Sequence, residues 1–491
     1  MAGVTRLADV YRPSLALSTD LYQLTMGQAY RHSGRAEEEA AFHLFFRRNP
    51  FGGGFAVACG LARALDYLAG FHFTAEDVAY LAGLAGNDGR PLFDPAFLRE
   101  LAGLRLRCDV DAVPEGTVVF PYEPLVRVCG PILHAQLVET ALLNFVNFET
   151  LIATKAARVC LAARGDDVID FGLRRAQGPD GGLSASRAAY VGGCAATSNV
   201  LAGRLFGLPV RGTHAHSWVM AFDSEPEAFE AWAQAQPNNG VFLVDTYDTL
   251  EGVRHAVDAA LRLRERGHRP VGIRLDSGDL AYLSIEARKI LDAAGLEETR
   301  IMASNDLDEH LIASLKEQGA RIDSWGVGTR LVTGGDEAAL GGVYKLGAVR
   351  QAGGPWQHRV KVSEQAAKTS NPGVQQVRRF SGPNGFLADV IFDEDTGLPD
   401  APVVVDPLDP TRRKRIPEGI PSEDLLVPVV RGGRPVYEPP SIEATRARAQ
   451  AGMARLHPGI RRFANPHQYP VGLSLELHEL KTRLVLAARK I

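Results

Sequence analysis

The chain has 491 residues, of which 45% are hydrophobic and 23% charged, the proportions of a globular protein large enough for more than one core. Its 54 Lys and Arg against 58 Asp and Glu leave a formal charge of −4, which excludes an electrostatic footprint for nucleic acid or an anionic membrane surface. The five cysteines, Cys59, Cys108, Cys129, Cys160 and Cys194, show no Cys-x-x-Cys spacing, so a zinc centre is not expected and reduced thiols are.

The first ten residues, MAGVTRLADV, lack the apolar core of a signal peptide, and no run of about eighteen apolar residues occurs anywhere. The expectation is a cytoplasmic protein. Ser18-Thr19-Asp20 then caps a helical pattern with Tyr22 in its first turn, a ring that packing alone would explain. Residues 41–58 read as strand, glycine turn, strand, with Arg47 and Arg48 beside Gly52-Gly53-Gly54, either a solvated edge or a phosphate-facing bend. Short strands are expected at 116–120, 125–128 and 132–135 within an α+β region, and a long buried helix over 137–163.

A rhythm follows. Strand-like runs at 168–171, 208–211, 241–244, 271–275, 300–303, 322–325 and 343–346 alternate with helical patterns such as 251–267, 281–294 and 307–319. Alternating βα units predict a parallel sheet closing into a TIM-like α/β barrel, whose chemistry sits in the loops leaving the strand C-termini. Polar clusters stand at those positions: Phe171-Gly172-Leu173-Arg174-Arg175, Gly212-Thr213-His214-Ala215-His216-Ser217, Asp245 to Asp248, Arg274-Leu275-Asp276-Ser277-Gly278-Asp279, Ser304-Asn305-Asp306 and Gly326-Val327-Gly328-Thr329. Beyond residue 350 the rhythm stops, and short strands and two late helices, near 441–455 and 473–488, complete the N-terminal region. The expected division is 1–136 and 351–491 for an α+β sandwich-like domain and 137–350 for the barrel.

Each cluster permits a definite chemistry beside a plainer role. A histidine such as His216 can act as nucleophile or proton carrier, or can simply hydrogen-bond its loop. Gly326, Gly328 and Thr329 can present backbone N–H groups to a phosphate or form an ordinary glycine turn. Asp276 and Asp279 can accept from a sugar diol and reach a metal, or can cap helices. Asp245 and Asp279 are the candidate ligands for Mg2+, since hard carboxylate oxygens suit that ion and a magnesium-bound diphosphate reconciles these acids with an anionic substrate. Arg174, Arg175 and Arg274 can fork onto a carboxylate or pair with the aspartates, and Phe171 can stack on a flat heterocycle or pack the barrel.

Taken together, Thr19-Asp20-Leu21-Tyr22-Gln23-Leu24-Thr25-Met26, Phe45-Phe46-Arg47-Arg48-Asn49-Pro50-Phe51-Gly52-Gly53-Gly54, Gly212-Thr213-His214-Ala215-His216-Ser217 and Arg274-Leu275-Asp276-Ser277-Gly278-Asp279 resemble the nicotinate phosphoribosyltransferase family. Asn371-Pro372-Gly373-Val374 and Asn465-Pro466-His467-Gln468-Tyr469 extend the resemblance towards the C-terminus. The resemblance implies an incomplete barrel plus a sandwich-like domain built from both chain ends. It implies that nicotinate and 5-phosphoribosyl 1-diphosphate form nicotinate mononucleotide and diphosphate, with ATP as co-substrate, Mg2+ as cofactor, and a homodimer with shared sites.

By the same resemblance His216 is the residue transiently phosphorylated by ATP, and Asp276 and Arg274 are catalytic. Tyr22, from a second copy, and Phe171 sandwich the pyridine, Arg174 lies near its carboxylate, and Gly326, Gly328 and Thr329 cradle the 5′-phosphate. Thr197, Asn199, Ser217, Asp245, Ser304 and Asn305 complete the expected substrate contacts. Related nicotinamide-using enzymes place an aspartate at Thr197-Ser198-Asn199; an acid there would accept from an amide and repel a carboxylate, whereas Asn199 does neither strongly, which favours nicotinate. Lys345, Lys361 and Lys368 are candidates for ATP. The rival readings are nicotinamide phosphoribosyltransferase, a barrel aldolase, which lacks an evident Schiff-base lysine, and a non-catalytic nucleotide-binding protein.

Overall fold

The structure, a computed structural model, describes residues 14–490. The stretch MAGVTRLADV, in which no signal-peptide core is expected, lies outside the described residues. The chain forms two compact units. The first holds the residues up to Thr150, Leu340–Ser441 and those from Ala451; the second holds Leu151–Ala339 and Ile442–Gln450.

The first boundary corrects the expected 136/137. It falls within one continuous helix, Glu139–Ala163, so no turn or composition change marks it. The second boundary, Ala339/Leu340, corrects the expected 350/351: Val343–Arg350 has strand composition like the runs before it, but it pairs antiparallel with Glu39–Phe45 in the first unit. Ile442–Gln450 returns to the second unit through Ile442, which packs on Tyr190, Ala202 and Leu208.

In the first unit, a seven-stranded sheet runs in the order Gln357–His358, Val343–Arg350, Glu39–Phe45, Val126–Pro131, Asp109–Ala112, Val427–Arg431, Arg434–Pro435. Its inner strand Glu39–Phe45 is buried over six of its seven residues, His43 among them. A six-stranded sheet carries Gln375–Gly382 and Gly385–Asp393 in a hairpin. Gln375 joins the sheets: its N–H donates to His43 Nε2 at 3.0 Å, and its carbonyl accepts from Arg127 at 3.1 Å. Residues 132–135, expected as a strand, form the helix Ile132–Leu137; the apolar run is too short for its period to separate the two, and every residue of it is buried.

In the second unit, six parallel strands lie in the order Ala196–Thr197, Asp167–Asp170, Ser324–Val327, Arg300–Ala303, Gly272–Leu275, Val241–Leu243. The second strand in the chain is therefore Ala196–Thr197 and not 208–211, of which only Val210 bridges Thr197. A two-residue strand is too short to carry a period, which is what hid it.

The helices between strands pack by the spacing that the sequence shows. In Thr249–Glu265 the buried positions are Gly252, Val253, Ala256, Val257, Ala259, Ala260 and Leu263, one face of a 3.6-residue period. Gly252 sits so close to the preceding strand end that a Cβ there would lie 2.1 Å from the Val244 carbonyl oxygen. None of the five cysteines forms a disulfide, and no helix among the described residues is long and apolar enough to cross a membrane.

Candidate active site

The C-terminal ends of the parallel strands surround a cavity of about 590 Å3 lined by Phe171, Arg174, Ser198, Thr213, His216, Arg274 and Asp276 among others. Its size is that of a small-molecule site.

The acids of these loops come in pairs three residues apart, and the structure divides their labour. Asp248 accepts from Glu251 N–H at 2.9 Å, and Asp279 accepts from Ala281 and Tyr282 N–H at 3.1 and 3.0 Å, so the second acid of each pair caps the following helix. The first acid of each pair works in the cluster. Asp245, with its side chain 1% exposed, lies 3.2 Å from His216 Nε2 through Oδ1. Its Oδ2 accepts from Ser277 Oγ at 2.6 Å and Asp276 N–H at 3.0 Å. Asp276 Oδ1 pairs with Arg274 at 2.9 Å and also accepts from Ser304 Oγ. Both contacts fall on one oxygen, so Oδ2 is left towards the cavity that Asp276 lines.

Arg274 is clamped rather than free. Nε donates to Ser304 Oγ at 2.7 Å, Nη1 to Thr213 Oγ1 at 3.0 Å and Nη2 to Asp276, while the guanidinium carbon lies 5.3 Å from the centre of the Phe171 ring. Three of its five N–H groups are spent on orientation, and a preorganised fork remains at the ring face. Gly326 explains how the ring fits: a Cβ there would come within 2.6 Å of Phe171, so the glycine is the seat of the ring.

His214 and His216 are separated sharply by environment. His214 is 6% exposed and burial pulls its pKa down to about 4, so it is neutral at pH 7. His216 opens the short helix His216–Val219 and faces the cavity.

Several expected contacts are corrected. Thr197 and Asn199 are 2% and 1% exposed and serve the scaffold. Thr197 Oγ1 donates to Asp170 Oδ2 at 2.7 Å, and Asn199 caps the helix Val200–Phe206 through Ala202 N–H. Ser198 between them lines the cavity. Alternation along an extended segment puts neighbours on opposite sides, and that is the signal that would have singled it out. Asp170 was missed: it accepts from Ser186, Thr197 and Gly172 N–H, tying the Phe171 and Ser198 loops together.

Of the two expected Mg2+ ligands, Asp245 uses both oxygens within the cluster, whereas Asp279 caps its helix through Oδ1 alone. Among the described residues, the constellation with metal-ligand spacing is Cys59, Glu115 and Glu149, buried in the first unit.

The remaining expected residues are placed as follows. Ser304 is buried and braces Arg274; Ser217 and Asn305 are exposed, Asn305 with φ 116°. Gly328 is the N-cap of the short helix Thr329–Val332. Tyr22 is 47% exposed in the first turn of Leu21–His32, in the other unit. Lys345 is half-buried, and burial lowers its pKa.

Comparison with known proteins adds to this geometry. Family models described as the nicotinate phosphoribosyltransferase (NAPRTase) N-terminal and C-terminal domains match residues 17–147 and 374–481. The chain is 41% identical over 485 residues to a nicotinate phosphoribosyltransferase of Bacillus subtilis, covering 96% of this chain and 97% of that protein. It is 38% identical over 528 residues to the one of Homo sapiens, covering 95% and 96%. The crystal structure of human nicotinic acid phosphoribosyltransferase superposes with a TM-score of 0.83 at 36% identity, covering 95% of this chain and 99% of that one. A nicotinate-nucleotide pyrophosphorylase from Pyrococcus furiosus shares the fold, with a TM-score of 0.70 at 20% identity.

Proposed function

The chain belongs to the nicotinate phosphoribosyltransferase family, and from that premise we propose that it joins nicotinate to 5-phosphoribosyl 1-diphosphate, with ATP phosphorylating His216. The product is nicotinate mononucleotide, a step of NAD biosynthesis, and diphosphate leaves. On this reading the second unit is an incomplete barrel, the first a sandwich-like domain, and the enzyme a homodimer in which Tyr22 comes from a second copy.

The observation that carries the mechanism is the His216–Asp245 contact at 3.2 Å. With Nε2 donating to a buried carboxylate, the imidazole is held in one tautomer and Nδ1 keeps its lone pair. That nitrogen attacks the γ-phosphorus of ATP; the N–P bond forms as the bond to the ADP oxygen breaks. Asp245 stabilises the positive charge that develops on the ring. Hydrolysis of the phosphoimidazole afterwards returns the histidine and releases phosphate.

The pyridine lies against Phe171, and its carboxylate takes the remaining Arg274 N–H groups, Arg174 and Ser198. Ser198 is neutral, so it does not repel that carboxylate, which favours nicotinate over nicotinamide. Asp276 Oδ2 accepts from the ribose diol. Gly328 and Thr329 stand at the end of the strand Ser324–Val327 for the 5′-phosphate. Asp245 and Asp279 would hold Mg2+, which would neutralise charge on the diphosphate, and every step above is carried by the chain's own residues.

The test is chemical. Wild-type enzyme mixed with ATP yields an acid-labile phosphoryl group, and His216→Ala yields none and loses the stimulation of nicotinate mononucleotide synthesis by ATP. A variant that keeps both sinks the assignment.

A further inference from the structure

Among the described residues, the parallel sheet of the second unit has two edges that no backbone ladder joins: Val210, which bridges Thr197, and Val241–Leu243 at the other end of the strand order. Val244 N–H turns inward to Arg274 O at 3.2 Å, so by alternation Leu243 N–H points out to the open edge. An edge N–H of a buried residue must find an acceptor. It finds an imidazole: Leu243 N–H donates to His214 Nε2 at 3.2 Å. A second stitch crosses the same gap, from Asn239 Nδ2 to Gly212 O at 3.4 Å.

The imidazole is built into this role. Its ring meets Trp232 edge-on at 4.9 Å and lies 6.3 Å from Phe229, so it has little freedom to rotate. Nδ1 lies 3.4 Å from the Ala215 carbonyl, the partner for its one proton. Being neutral, the ring keeps an Nε2 lone pair for Leu243. Position in the chain gives the contact its consequence. His214 stands two residues before His216, and Leu243 two before Asp245, so this hydrogen bond ties the two loops together directly beside the His216–Asp245 contact.

We propose that His214 is a positioning residue that closes the open edge of the sheet and thereby holds His216 in register with Asp245. Its activity readout rests on the assignment of His216 as phosphoryl acceptor; its structural readout does not.

Three full-length variants decide it. His214→Phe keeps the ring and removes the acceptor; His214→Gln places a carbonyl oxygen near the Nε2 position; His214→Asn places it too short. In His214→Phe, exchange of the Leu243 amide hydrogen rises tenfold or more, roughly, and phosphohistidine yield and ATP-stimulated kcat fall about tenfold, with KM for nicotinate within about threefold. His214→Gln recovers exchange protection and kcat. Equal behaviour of Phe and wild type, or equal impairment of Gln and Phe, overturns the proposal. Should His214→Phe not fold, Gln against Asn makes the same comparison, and equal impairment overturns it. In 15N-histidine-labelled wild type, Nε2 of His214 is unprotonated at pH 7; a proton there overturns it as well. If wild type forms no phosphohistidine, the ATP reading of His216 fails while Leu243 exchange still judges the clasp.

Discussion

Two clusters in this protein are built from the same chemistry and put to opposite uses. In the first unit Arg379 pairs with Asp389, which also accepts from Tyr469 at 2.8 Å; the two side chains of the pair are 2% and 0% exposed, under the faces of Phe386 and Phe120. In the second unit Arg274 pairs with Asp276, at 13% and 24% exposure, beside the face of Phe171. The sealed cluster turns its hydrogen bonds inward and has nothing to offer a ligand. The open one leaves an aspartate oxygen, arginine N–H groups and a histidine nitrogen towards a cavity. Residue type does not separate structure from chemistry here; solvent access does.

The widest gap between the clusters appears when each arginine is removed. Arg379→Met strands Asp389 in the interior and costs about 3–5 kcal/mol, read as a lowered urea midpoint. Arg274→Met lowers kcat/KM by about 100-fold while the midpoint moves little, because its site is open to water. An unfolded Arg274→Met or an unperturbed Arg379→Met would erase the distinction.

Proton linkage sharpens it. Burial, and then the charge of Asp389, push the carboxyl of Glu123 well above its ordinary value, so the folded chain keeps a proton that the unfolded chain releases. The stability this group contributes is therefore fully present below the unfolded pKa of 4.5 and is lost as pH rises towards the folded pKa. Glu123→Gln has no proton to release. Wild type should lose stability relative to that variant as pH rises above 4.5, read in paired urea melts; parallel curves would show that Glu123 ionises in place.

The smallest contrast lies at the periphery. Ser277→Ala removes the 2.6 Å donation to Asp245, costing about 0.5–1.5 kcal/mol and a few-fold in ATP-stimulated rate. Arg378→Ala removes the exposed pair with Asp424, costing less than about 1 kcal/mol and leaving turnover alone. A larger effect at Arg378 than at Ser277 would count against reading the site by its cavity.

Much of this was legible beforehand where the local pattern repeats. The helices Thr249–Glu265, Leu280–Ala293 and Glu309–Glu317 lie where their apolar spacing places them, and the polar loops at 171, 216, 245 and 276 converge as strand-end loops of a parallel sheet must. The strand Ala196–Thr197 was not legible, because two residues show no period. Val343–Arg350 has the composition of its predecessors, and only its antiparallel partner reveals which sheet it joins.

By itself, then, the sequence determined the βα rhythm, the loops that carry polar chemistry and, through motif resemblance, the family. The tertiary structure decided the work of each polar group within those loops. Asp245 and Asp248, or Asp276 and Asp279, are alike in sequence; one of each pair caps a helix and the other braces the site. Thr197 and Asn199 turned inward and Ser198 outward, and His214 became a clasp while His216 kept a nitrogen free. The reason is geometric: a residue type sets what bonds a side chain can make, whereas the direction of its Cα–Cβ bond in the finished sheet selects which partner, or which cavity, it meets.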